Sequence, residues 1–180
     1  MIGVLVSGEG TNFQALLDAR LPVVAVASNR GDAFALERAR NAGVATGVFE
    51  LEDYGDRDER DAAMAGWLEE RSVELVVCAG YMHLLRPTFV DRFAGRIVNT
   101  HSAPLPAFPG AHPIEDVLAA GVAETAATVH YVDEGVDTGA VITAEPVPVR
   151  EGDTVESLRA RVQAVEHRLL PTVVRELISA

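Results

Sequence analysis

Short apolar runs alternate with amphipathic stretches from the first residues of this chain. Ile2 to Val6 reads as a strand. Thr11 to Arg20 reads as a helix with Phe13, Leu16 and Leu17 on one face. Pro22 to Ala27 is a second strand, and Asp32 to Asn41 a second helix, closed by Gly43. Val44 to Phe49 is a third strand. Asp56 to Arg71 is a charged helix with a buried stripe of Met64, Trp67 and Leu68. Val73 to Cys78 is almost wholly apolar, as a parallel strand covered on both faces must be.

The rhythm changes further along. Arg96-Ile97-Val98 reads as a strand that ends in Asn99-Thr100-His101. A Pro-rich loop, Ser102 to Pro109, follows, then a short helix from Ile114 to Ala120. Thr125 to Val132 and Val141 to Val149 are strand-like, and the short connection between them predicts an antiparallel pair. From Thr154 onward Val155, Leu158, Val162, Val165 and Leu169 recur at helical spacing, and Pro171 is expected to kink or restart that helix. Together these predict one α/β domain over residues 1–180, with a doubly wound, mostly parallel, Rossmann-like sheet and an antiparallel C-terminal strand portion.

Charge narrows the partners. The net charge of −12 argues against nucleic acid, whose binding rests on a basic surface. A locally positive pocket for an anionic small molecule is still allowed. One cysteine, Cys78, permits no disulfide within the chain, so a reducing, cytoplasmic setting is expected and Cys78 reads as a small core residue. Nothing resembles a signal peptide or a membrane span, so no membrane partner is expected.

The chemistry gathers where strands end, which is where open α/β sheets bind ligands. Asn99 supplies a donor, His101 a titratable ring, and Asp137, in Val136-Asp137-Thr138-Gly139, a carboxylate. Together they suit acid–base work with stabilisation of an oxyanion. An Asp-Thr-Gly turn is the bland alternative for Asp137. The first turn, Ser7-Gly8-Glu9-Gly10-Thr11-Asn12, joins a strand to a helix N-terminus and suits a phosphate. As a dinucleotide site it lacks the third glycine and the acid for a ribose; its bland alternative is a helix cap by Thr11 or Asn12. His83 stands at a strand end and could line a pocket, His112 could cap a helix, and His130, inside a strand, reads as structural. No histidine has metal-ligand spacing, so no metal is expected. Gln163 and Glu166 share a face of the last helix, either as solvated side chains or at a pocket edge.

In order along nearly the whole chain, these stretches resemble the folate-dependent phosphoribosylglycinamide formyltransferase family. The resemblance rests on Ser7-Gly8-Glu9-Gly10-Thr11-Asn12, Ala27-Ser28-Asn29-Arg30, Leu36-Glu37-Arg38-Ala39, Ala79-Gly80-Tyr81-Met82, Asn99-Thr100-His101 with Leu105-Pro106-Ala107-Phe108-Pro109-Gly110, Val136-Asp137-Thr138-Gly139, and Gln163-Ala164-Val165-Glu166-His167. It implies a Rossmann-like formyltransferase fold. It also implies transfer of the formyl group of 10-formyltetrahydrofolate, as co-substrate, to the amine of glycinamide ribonucleotide in purine biosynthesis. By resemblance Asn99, His101 and Asp137 are catalytic, and Gly10, Thr11, Asn12, Gln163 and Glu166 bind the ribonucleotide. Met82, His83, Leu84 and Leu85 line the pterin pocket, Asn99 also faces the folate, and Arg57 reaches its acidic tail. The implied partners are these two small molecules, with no metal, in a monomer or homodimer.

The chain departs from the family pattern in three places. Ser102-Ala103-Pro104 replaces Pro-Ser-Leu, His83 stands where many relatives carry Arg, and the chain reaches only Ala180, where relatives commonly add a strand-forming tail. Two other readings of the same residues are a 10-formyltetrahydrofolate hydrolase, whose relatives usually carry a further N-terminal domain, and a non-catalytic phosphate- or folate-binding module. The second is disfavoured, because binding alone needs no proton relay.

Overall fold

A computed structural model describes residues 1–179 of the chain. Seven strands form one sheet in the order β3-β2-β1-β4-β5-β6-β7. β1 (Ile2–Val6), β2 (Val23–Ser28), β3 (Ala45–Val48), β4 (Leu75–Cys78) and β5 (Ile97–His101) run parallel. β6 (Glu124–Tyr131) and β7 (Val141–Pro148) complete the sheet antiparallel. The expected mixed α/β sheet is therefore present.

Side chains alternate across the sheet, as the strand period requires. Val4 and Val6 join one core with Phe13 and Leu16 of α1 (Thr11–Asp18), Leu36 of α2 (Phe34–Asn41) and Leu170 and Val174 of α6 (Val155–Ser179). Leu5 points the other way, into a core with Met64 and Leu68 of α3 (Arg57–Glu69) and Phe89 of α4 (Pro87–Val90). A third cluster joins α5 (Pro113–Ala120) to α6 through Ile114, Val117, Leu158 and Val162. The chain crosses from one side of β1 to the other between β3 and β4. That reversal opens a crevice at the carboxyl ends of β1 and β4.

Four expectations are corrected. β5 does not stop at Val98, because pairing with β6 continues through His101, opposite Thr128. Asn99 and His101 are thus strand residues, held more rigidly than loop residues would be. α6 is assigned as one helix through Pro171. Pro171 is buried beside Leu170, Val173 and Val174, and that packing offsets the lost hydrogen bond. α3 buries more than an apolar stripe: Arg60 and Asp61 are fully buried, and Trp67 is only partly covered. His112 precedes α5 without capping it through its side chain. Cys78 is buried, and burial pushes its thiol up to about 12, which suits a core residue and not a nucleophile. Among the described residues no helix is long and apolar enough to cross a membrane.

Candidate active site

A cavity of about 920 Å³ lies over the carboxyl ends of β1, β4 and β5. Its walls come from the turn after β1, the loop after β4, the end of β5, the β6–β7 connection and one face of α6. Gly10, Thr11, Asn12, Met82, His83, Leu84, Leu85, Asn99, His101, Asp137, Gln163 and Glu166 all line it. Of the expected site residues only Arg57 does not. It sits exposed at the start of α3, yet its charge reaches the rings of Tyr81 and His83, in the loop after β4.

Strand register builds the polar centre. Asn99 and His101 are two apart on β5, so they share a face, and β6 places His130 directly opposite Asn99. Asn99 Nδ2 lies 3.1 Å from His130 Nε2. The other nitrogen, His130 Nδ1, donates to the Tyr131 carbonyl at 2.8 Å. Asp137 reaches between the two histidines from the β6–β7 connection, with its backbone in the left-handed region at φ 52. Its Oδ1 is 3.5 Å from His130 Nε2 and its Oδ2 is 3.5 Å from His101 Nδ1. Gly110 N–H donates to Oδ2 at 2.8 Å.

Burial favours the neutral Asp137 carboxyl. The contacts from His130 and Gly110 N–H and the nearby His101 outweigh that, and hold the group below the usual carboxylate range. Neutral His130 accepts from Asn99 and leaves the second Asn99 N–H for the cavity. Protonated, the same nitrogen donates to Asp137. His101 is 5% exposed, and its Nε2 donates to the Phe108 carbonyl. Both ring nitrogens of His101 thus face oxygen atoms, Phe108 O and Asp137 Oδ2.

The turn after β1 is an uncapped helix start. Gly10 occupies the N-cap position at φ 72, with no side-chain cap. A Cβ there would fall 2.5 Å from Ala35 Cβ, so only glycine fits. Thr11 and Asn12 do not cap the helix, and its first N–H groups face the cavity. Asn12 instead donates from Nδ2 to Glu166 Oε2 at 3.0 Å, and Ser102 Oγ donates to Glu166 Oε1 at 2.6 Å. Glu166 is 4% exposed, which overturns the solvated-face alternative. Gln163 lies one turn earlier, partly buried, on the cavity wall.

The loop after β4 gives the cavity its apolar side. Met82 and Leu84 are exposed there, at 66% and 40%, while Leu85 is buried. His83 sits between them and is held from behind by Arg60, whose Nη1 is 2.6 Å from His83 Nδ1. Burial, then the charges of Arg60 and Arg57, lower the His83 pKa.

His130 was missed as a site residue. The signal was present: Thr128 and His130 are polar at alternate positions of an apolar strand, so both lie on the face of β6 that meets Asn99 and His101. Arg60 was missed because a buried arginine inside a charged helix leaves no mark in the pattern.

Comparison with known proteins places the chain among formyl transferases. The family model described as formyl transferase matches residues 1–174. A phosphoribosylglycinamide formyltransferase of Mycobacterium tuberculosis is 45% identical over 179 residues, covering 97% of this chain and 83% of that protein. The trifunctional purine biosynthetic protein adenosine-3 of Gallus gallus is 44% identical over 184 residues. This chain spans only 18% of that longer relative. The crystal structure of phosphoribosylglycinamide formyltransferase from Streptococcus pneumoniae superposes with a TM-score of 0.95, at 45% identity and 98% coverage of both chains.

Proposed function

The chain belongs to the formyl transferase family, and on that premise we propose that it moves the formyl group of 10-formyltetrahydrofolate to the amine of glycinamide ribonucleotide. One observation carries this reading. Asn99, His101, His130 and Asp137 converge on a cavity whose other end is an open helix N-terminus.

The ribonucleotide phosphate binds at the N–H groups of Gly10, Thr11 and Asn12, where the helix dipole favours an anion. Glu166 and Gln163 face its sugar, with Glu166 accepting hydroxyl hydrogens through lone pairs that Asn12 and Ser102 leave open. The folate lies against Met82, Leu84 and Leu85, an apolar wall suited to a flat ring, and its acidic tail runs toward Arg57.

The substrate amine adds to the formyl carbon, and negative charge gathers on the formyl oxygen. Asn99 Nδ2–H and His101 meet that charge. His101 Nε2–H is engaged by Phe108 O beforehand, so the substrate oxygen displaces that carbonyl as the ring moves to it. Asp137, kept ionised, balances the imidazolium and takes up the amine proton through water. The C–N bond to the folate then breaks, and the folate nitrogen is reprotonated from the same group. Oxyanion donors of this kind typically contribute on the order of 10²–10³ in rate.

The test is to incubate the chain with 10-formyltetrahydrofolate, with and without glycinamide ribonucleotide, and to follow deformylation and the formylated product. Turnover that requires the ribonucleotide is expected. Equal turnover without it would establish the hydrolase reading instead.

A further inference from the structure

A line of side chains runs from buried Arg60 of α3 to Ser7 in the turn after β1, on the cavity wall, and its hydrogens can be counted. Arg60 is 0% exposed. It is paired with Asp61 through Nε and Nη2, at 2.9 and 2.7 Å to Oδ1. Its Nη1 meets His83 Nδ1 at 2.6 Å, and a guanidinium can only donate. His83 Nδ1 must therefore accept, so the imidazole is neutral and carries its hydrogen on Nε2. That Nε2–H faces the Asn29 carboxamide at 3.3 Å. Two donors cannot face each other, so the Asn29 oxygen belongs on the His83 side and its NH₂ on the Ser7 side. The two orientations of an amide are fixed by such partners.

Turning the amide reverses the next link. Ser7 Oγ is 2.6 Å from the Asn29 amide and also receives Met82 N–H at 2.9 Å. Both contacts now donate to Ser7, which fills its two lone pairs. The hydroxyl hydrogen is left over, and among the described residues Ser7 Oγ donates to no other group. Ser7 is 5% exposed and lines the cavity at the start of the Gly8–Asn12 turn.

We propose that the Ser7 hydroxyl is a substrate-positioning donor, its direction set by the chain Arg60–His83–Asn29–Ser7, and that it bonds an acceptor oxygen of the bound ribonucleotide. The identity of the ligand rests on the proposed function; the direction of the chain does not. Ser7 lies between the turn that takes the phosphate and the loop that takes the folate. An oxygen on the ribonucleotide between its phosphate and its amine lies within that span. Asp61 also accepts Arg86 N–H, at 2.8 Å, which ties the buried pair to the folate-side loop.

Asn29→Asp separates the two polarities. A carboxylate accepts on both sides, so the Ser7 hydrogen turns inward to residue 29 and is lost to the ligand. Asn29→Asp and Ser7→Ala should each raise KM for glycinamide ribonucleotide about five- to tenfold, as loss of one hydrogen bond does. The double variant should lose no more than either alone, because the same bond is removed. Both kcat and KM for the folate should stay within about twofold. Nitrogen NMR of the whole chain at about pH 7 should show His83 as the neutral Nε2–H tautomer. An unchanged ribonucleotide KM in Asn29→Asp would mean that Ser7 already donates to residue 29, and would overturn the proposal. A His83 Nδ1–H signal, or a rise in folate KM alone, would overturn it as well. Wild-type turnover without the ribonucleotide would refute the proposed function and the assigned ligand, while the spectrum would still decide the direction of the chain.

Discussion

Asn99 and His130 face each other across β5 and β6, with Asn99 Nδ2 3.1 Å from His130 Nε2. The contact orients the carboxamide. While His130 is neutral its lone pair holds one Asn99 N–H, and the other N–H is aimed at the cavity. His130→Ala leaves Asn99 free to turn its oxygen toward the formyl group, which would repel the developing charge. We expect kcat to fall about tenfold to a hundredfold, less than for outright loss of an oxyanion donor. KM for both substrates should change little. An unchanged kcat would reduce His130 to a packing residue.

His101 and Asp137 act as a pair, so each loss should be severe and the two should not add. His101→Ala and Asp137→Ala should each lower kcat by roughly 10²–10⁴. The double variant should be close to the worse single. Asp137 also accepts Gly110 N–H, so Asp137→Ala loosens the 102–110 loop and should speed its proteolysis. Additive losses in the double variant would show that the residues serve separate steps.

The sheet, its antiparallel edge and most of the site could be read from residue types, because apolar period and strand-end position are local signals. Asn99, His101 and Asp137 stand out this way as strand-end polar residues, whereas Glu166 stays open between a solvated face and a pocket edge until its burial is seen. Register is not local. Nothing in Thr125 to Val132 says which residue of β6 will oppose Asn99, so His130 passed for a structural residue. The end of β5 is hidden for the same reason: Asn99 to His101 are polar, yet β6 supplies their backbone partners. Arg60 and Asp61 escaped because a buried ion pair has the same letters as a solvated one.

That pair offers a clean stability cycle. Arg60→Met strands the Asp61 carboxylate in the core and should cost about 3–5 kcal/mol by denaturant unfolding. Arg60→Met combined with Asp61→Asn removes both charges and should recover a large part of the loss. No recovery would mean that Asp61 is held chiefly by Arg86 N–H and not by the guanidinium.

Acidification should weaken the fold through two groups, one after the other. The His83 pKa is lowered by burial and by Arg60 and Arg57, so the unfolded chain binds the proton first. Its contribution is full above the unfolded histidine value, near 6.5, and declines as pH falls below it. Asp137 is also held below its unfolded value. Its contribution is present above that value and is lost as pH falls through the folded one. A melting-temperature profile should therefore fall in two stages. His83→Gln, which keeps an acceptor for Arg60, should remove the upper stage alone; a profile identical to wild type would show that His83 is not held neutral.

Glu166 joins three parts of the chain: α6, Asn12 at the start of α1, and Ser102 just after β5. A carboxylate can accept from both donors and still take a substrate hydroxyl. Glu166→Gln keeps the shape but turns one oxygen into an NH₂, which then confronts either Asn12 Nδ2 or the Ser102 hydroxyl. Ser102 can rotate its hydrogen away and accept, whereas Asn12 must turn its whole amide. The amide therefore settles with its NH₂ toward Ser102, and the remaining oxygen keeps Asn12 in place. The expected result is a ribonucleotide KM raised about tenfold, from weaker bonding of the sugar. Folate KM should be unchanged, and stability should fall by about 1 kcal/mol. Adding Ser102→Ala to Glu166→Gln should raise the ribonucleotide KM little further, because Ser102 reaches the substrate only through residue 166. A fully additive second loss would show that Ser102 contacts the substrate itself and does not act through Glu166.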